Sequence, residues 1–239
     1  MPLLRALWAG RVPYLEALGW QRALADARGS GRLADDALLL LEHPPVYTMG
    51  RGGRTEHVPG GPERLRAAGA EYVEVDRGGS ITFHGPGQLV GYPIVALAER
   101  LPAKEGGGDV GAYLRALEAA LCATCADAGV QAVERPPYTG AWVGEEKVAA
   151  IGVKLSHGVT QHGVALNVNV DLDWFAKVVP CGIPSQEGGV TSLAACGAAG
   201  WTPQALAPRF AAHLAARLGC EPADGGPVAE LLGATAAIG

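Results

Sequence analysis

The chain has 239 residues, 49% of them hydrophobic, and a formal net charge of −5, enough apolar content for one sizeable core without the basic excess that nucleic-acid binders carry. No apolar run approaches the roughly 20 residues of a membrane span, and Met1-Pro2-Leu3-Leu4-Arg5 lacks the basic and apolar regions of a secretory signal. Five cysteines at irregular spacing argue against a disulfide framework, so a soluble protein of the reducing cytoplasm is expected.

In chain order, residues 13–28 open on proline and close at Gly29, which predicts a helix. Residues 37–42 form a short apolar run, a buried strand ending at His43-Pro44-Pro45. Arg51, Arg54, Arg64, Arg66 and Arg77 cluster in sequence, either as a patch for an acidic partner or as ordinary solvated arginines. Residues 71–76 alternate as a half-buried strand. Residues 88–97 read as a further strand, part of which Pro93 would confine to an edge. Asp109 can cap a helix over 109–128, with Tyr113, Leu114, Leu117, Leu121 and Cys125 as its apolar stripe. Cys122 and Cys125 have redox or zinc spacing, but no second pair completes a metal site, so packing is the favoured role. Thr202 can cap a second helix over 203–218. Nothing divides the chain, so residues 1–220 are expected to be one domain, with 221–239 a tail outside it.

The stretch 147–171 predicts two long strands joined at His157-Gly158. That register sets Gly152 opposite Gly163 and Ala150 opposite Ala165, four small residues on one face. Ile151, Val153, Leu155, Val164, Leu166 and Val168 take the other face, toward the core. Small residues mark close approach: either a linear apolar ligand lies in a trough, or another element packs there. On the trough reading, Gly163→Val would obstruct a long linear ligand more than a short one. Strict alternation would turn Lys147 toward the core, so the first strand is expected to begin just after it.

Arg77 to Gln88 is glycine-rich and follows a strand. Its glycines let backbone N–H groups approach a ligand, yet neither a phosphate loop nor a dinucleotide fingerprint is present. Cys181 lies in Val179-Pro180-Cys181-Gly182, a turn context that suits an exposed nucleophilic thiol better than a packed one.

Taken together, Leu41–Arg51, Arg77–Gln88, Gly144–Gly152, His162–Val168, Pro180–Ile183 and Val190–Leu193 occur in an order that closely resembles the LipB-type bacterial octanoyltransferases over about residues 10–215. The resemblance implies an α/β (α+β) fold, a mixed and mostly antiparallel β-sheet flanked by helices, like the catalytic domains of biotin and lipoate protein ligases. It implies octanoyl or lipoyl transfer from acyl carrier protein, through a cysteine thioester, to a lysine of a lipoyl domain. The implied acceptors are lipoyl domains of 2-oxoacid dehydrogenase complexes and the glycine cleavage H protein. A monomer is expected, with no nucleic-acid or membrane partner. Cys181 would be the nucleophile and Lys147 its partner. The acyl-binding residues would be Arg77, Gly78, Gly79, Ser80, Ile81, Thr82, Phe83, His84, Ala150, Ile151, Gly152, Gly163, Val164 and Ala165. Exchange between thioesters is nearly isoenergetic and amide formation runs downhill, so neither ATP nor a metal cofactor is expected. Three rivals stand beside this: an ATP-dependent ligase of the same fold, a Cys-His hydrolase with His84 or His162 as base, and a non-catalytic scaffold for carrier domains.

Overall fold

The computed structural model describes residues 1–179 and 188–236. Its centre is β2 (Asp36–Glu42), buried along its length because both faces are covered. Leu38 and Leu40 point into one core cluster, whereas Ala37, Leu39 and Leu41 point into another. An unbroken apolar run is what a doubly covered strand requires.

Eight strands form the main sheet. Beside β2 lie β1 (Leu3–Arg11), parallel to it, and β6 (Gln88–Ile94), antiparallel. Beyond β6 come β10 (Val159–Asn167), β9 (Glu146–Ser156), β8 (Tyr138–Val143) and β7 (Val133–Arg135), all antiparallel. The other edge is β11 (Glu221–Asp224), parallel to β1. One face carries α4 (Val110–Asp127) and α5 (Pro203–Arg217), and the other carries α1 (Tyr14–Gly29) and α6 (Val228–Ala236). Asp109 and Thr202 cap α4 and α5 through Ala112 N and Ala205 N, as expected of N-cap side chains. Cys125 is buried in the α4 stripe with Cys122 packed against the same core; burial pushes the Cys122 thiol up to about 11 and Cys125 up to about 12, consistent with packing residues.

A second sheet of three strands sets β3 (Val46–Met49) between β4 (Glu71–Glu74) and β5 (Ile81–His84). The short helix α2 (Gly61–Ala67) packs beside β4. The 3₁₀ segment Leu172–Lys177 packs on this sheet: Trp174 stacks on Phe83 at 5.1 Å, and Tyr47 Oη donates to Trp174 O at 2.6 Å. A one-turn helix, α3 (Leu97–Arg100), follows β6.

Three expectations are corrected. Pro93 lies in a central strand, between β2 and β10, rather than at an edge. The paired register of β6 with β10 runs only over Gln88–Gly91, beyond which Thr160 Oγ1 accepts from Val95 N and donates to Pro93 O. A local side-chain bridge thus serves where proline cannot donate. Residues 221–236 are no tail: β11 pairs with β1, and Leu231 of α6 is buried in the α1-side core. Apolar patterning is too sparse there to announce an edge strand. Leu155, expected in the core, is 40% exposed.

Candidate acyl-binding cleft

The hairpin of β9 and β10 forms the floor of the site. His157 and Gly158 both take positive φ (50° and 79°), the geometry of a tight two-residue turn that matches strand twist. Gly152 pairs with Gly163 and Ala150 with Ala165, the expected register. An open cleft runs over this floor. Its walls come from Arg77, Gly79, Ser80, Ile81, Thr82 and His84, with Tyr14 of α1, Tyr92 of β6 and His162 of β10 at the buried side.

Twelve of the fourteen residues expected to bind the acyl group line this cleft: Arg77, Gly79, Ser80, Ile81, Thr82, His84, Ala150, Ile151, Gly152, Gly163, Val164 and Ala165. Two do not. Phe83 alternates away from Thr82 and His84 into the core of the small sheet. Gly78 instead ties its loop to β9, with its N–H donating to Val153 O at 3.0 Å.

The glycines have a more local cause than a ligand. A Cβ on Gly163 would lie 2.2 Å from Gly91 O and 2.6 Å from Pro93 Cδ, and one on Gly152 would lie 3.1 Å from Arg77 Cδ. Gly163 therefore admits the proline of β6, and Gly152 admits the Arg77 side chain. The close approach inferred from small residues is real, but neighbouring chain supplies part of it.

Lys147 falls inside β9, not before it. The β8–β9 register shifts between Ala141/Ala149 and Trp142/Lys147. Such a bulge inserts one residue and re-aims the side chains beyond it, so both Val148 and Ala149 reach the core while Lys147 turns to the site. Its Nζ stands 4.8 Å from the Trp142 ring centroid, a cation–π arrangement. Its stem passes Gly140, whose N–H donates to Glu118 Oε1 at 2.9 Å. Lys147 lines a recess with Thr82, Gln88, Ala150, Asn167, Phe175 and Val190. Thr82 and Ala150 line the main cleft too, so recess and cleft adjoin.

Oriented hydrogen bonds connect the two. Arg77 donates to Thr48 Oγ1 (2.8 Å), leaving that hydroxyl to face His84 Nε2 at 3.4 Å. His84 Nδ1 donates to Gln88 Oε1 (2.8 Å), Gln88 Nε2 to Asn167 Oδ1 (2.9 Å), and Asn167 Nδ2 to Thr191 O (2.9 Å). Thr191 N in turn donates to Lys147 O, and Lys147 N to Gly189 O. Burial pushes the imidazole of His84 down to about 3 and those of His43 and His162 down to about 4, so all three are neutral at neutral pH. These uncharged imidazoles are weak bases for a Cys-His hydrolase.

Cys181 lies outside the described residues. On one side of it Val179 N donates to His57 O; on the other Val190 bridges to Lys147. Among the described residues no cluster of three or more His, Cys, Asp or Glu could hold a metal ion, and no helix is long and apolar enough to cross a membrane. Of the arginines read as a patch, Arg77 is buried in the cleft, while Arg54 and Arg66 pair with Glu56 and Glu63 on the surface. That pairing favours an ordinary solvated face there.

Sequence reasoning missed Tyr14 and Tyr92, which are distant in the chain and carry no local pattern, while His43 stood inside the motif 41–51 without being singled out. Gln88 and Asn167 stood inside the motifs 77–88 and 162–168, and their amides next to glycine-rich segments were the available signal.

The lipoyl protein ligase A/B catalytic domain family matches residues 13–215. An octanoyltransferase of Solibacter usitatus is 48% identical over 206 residues, covering 86% of this chain and 89% of its own. A bipartite lipoate protein ligase from Thermoplasma acidophilum superposes with a TM-score of 0.66 at 16% identity, over 97% of this chain and 89% of that one. The biotin protein ligase of Aquifex aeolicus does so at 0.53 and 12% identity, over 90% and 70%. These two solved structures share the fold: a mixed, mostly antiparallel sheet flanked by helices.

Proposed function

Since the chain belongs to the lipoyl protein ligase A/B catalytic domain family and, within it, to the octanoyltransferases, we propose that it moves an octanoyl group from acyl carrier protein to a lysine of a lipoyl domain through a thioester on Cys181. The acceptors in this reading are lipoyl domains of 2-oxoacid dehydrogenase complexes and the glycine cleavage H protein. The observation that carries it is the largely apolar cleft adjoining the Lys147 recess. A reducing cytoplasm would keep the thiol available.

The Cys181 thiol gives its proton to Lys147, and the thiolate attacks the carbonyl carbon of the donor thioester. A tetrahedral oxyanion forms and collapses, expelling the carrier thiolate, which takes a proton. The acceptor amine then attacks the new thioester and loses a proton to the Lys147 amine. The Cys181 thiolate leaves and an amide remains. The acyl chain lies along Ala150–Gly152 and Gly163–Ala165. Burying it contributes about 0.8 kcal/mol per methylene before ordering costs. Each acyl donor is already a thioester, so the sequence of steps consumes no nucleotide.

Incubation with octanoyl carrier protein and apo lipoyl domain, without ATP, tests this by mass measurement of both proteins. The expected result is a C8 adduct on Cys181, then an octanoyl amide on the acceptor. Cys181→Ala abolishes both. An adduct persisting in Cys181→Ala, or transfer only with ATP, would overturn the reading.

A further inference from the structure

The buried side of the cleft is built from rings whose polar edges are tied down. Tyr14, 2% exposed, lies near-parallel to His84 (6.2 Å between centroids, 10°) and faces His162 Nδ1 through its hydroxyl at 3.5 Å. His162, 1% exposed, approaches Asp76 with Nε2 at 3.3 Å, while its backbone N–H donates to Gln21 Oε1 at 2.8 Å. Tyr92 donates its hydroxyl to His43 Nε2 at 2.7 Å, and His43 Nδ1 donates to Val12 O at 2.6 Å. His162 also holds φ 55° in the middle of a strand, a strained conformation for a residue bearing a Cβ. In contrast, Gly79 and Ala150–Gly152 on the other side of the cleft are partly or fully exposed.

A chain entering from the Lys147 recess therefore runs past Ala150 and meets rings that burial and hydrogen bonding hold in place. Close-packed interiors resist added methylenes, which force off-rotamer side chains and backbone shifts. We propose that Tyr14 and His162 form the fixed end wall of the cleft and set the longest straight acyl chain the protein transfers. This deepens the acyl-transfer reading above and rests on it. Tyr14 and His162 here are specificity-determining residues, with no part in bond making.

The test compares octanoyl and dodecanoyl carrier protein as donors, reading acylated lipoyl domain by intact mass. Wild type is expected to transfer the C12 chain at least tenfold more slowly than C8. Tyr14→Ala and His162→Gly each raise the C12:C8 ratio at least tenfold. His162→Gly is suited to folding because glycine adopts positive φ without strain. Tyr14→Phe, which keeps the ring, leaves the ratio within twofold of wild type. Equal C12 and C8 rates in wild type would overturn the wall whatever the variants do. So would an unchanged ratio in folded Tyr14→Ala and His162→Gly. Failure of wild type to transfer any chain would instead overturn the acyl-transfer reading itself.

Discussion

Lys147 is where strand geometry and electrostatics meet. Its Nζ lies over the Trp142 ring, and its strand is held through Thr191 and Gly189. Arginine would keep the positive charge but cannot give up a proton at working pH. Lys147→Arg is therefore expected to lose about 10²-fold or more in transfer rate with the melting temperature little changed. Near-normal turnover would remove Lys147 from proton transfer. The buried imidazoles predict acid sensitivity of the fold. His43, His84 and His162 stay neutral in the folded state down to about 3 or 4, whereas an unfolded imidazole protonates near 6.5. As pH falls below about 6.5 the unfolded chain binds more protons, so stability drops toward about pH 4. The slope is about 1.4 kcal/mol per pH unit for each imidazole. Asp76, held down to about 2 chiefly by the Lys154 hydrogen bond, adds its own loss only below about pH 4, its unfolded value. Denaturant midpoints measured from pH 7.5 to 4.5 check this, and a flat profile would contradict it.

Among the elements, the junction of β6 and β10 carries the sharpest demand. Gly163 faces backbone atoms of β6 that cannot give way, so the substitution effect expected from a ligand trough changes character. Gly163→Ala should destabilise by about 1–3 kcal/mol and slow octanoyl and acetyl donors alike, as read by denaturant titration beside a donor series. A selective loss of octanoyl transfer at full stability would restore the trough explanation. Gly152→Ala meets Arg77 Cδ and Gly78 O at 3.1 Å, a looser approach than the 2.2 Å at Gly163, and should cost less. The β8–β9 bulge has a matching role: it explains how a lysine that strict alternation sends to the core reaches the cleft. Period-two patterning holds only while the ladder is regular, so no alternation argument could have found it.

At the scale of the molecule, β11 and α6 close one side of the main sheet and cover part of α1. Shortening the chain after Cys220 would bare the β1 edge, an open template for intermolecular pairing. The shortened protein is expected to melt earlier and self-associate on size-exclusion chromatography; an unchanged melting temperature and elution would show that β11 and α6 contribute little. The hairpin register, the caps of α4 and α5 and the glycine-rich wall were all legible in the residues, because turn chemistry, capping and side-chain alternation act over a few neighbours. So was the family, through ordered motifs in the sheet and its loops. The gathering of Tyr14, His43, His84, Tyr92 and His162, the place of Pro93 in a central strand and the direction of Lys147 were decided only by tertiary structure. Each depends on which distant strand lies alongside and where a ladder breaks, and no local rule of sequence encodes that.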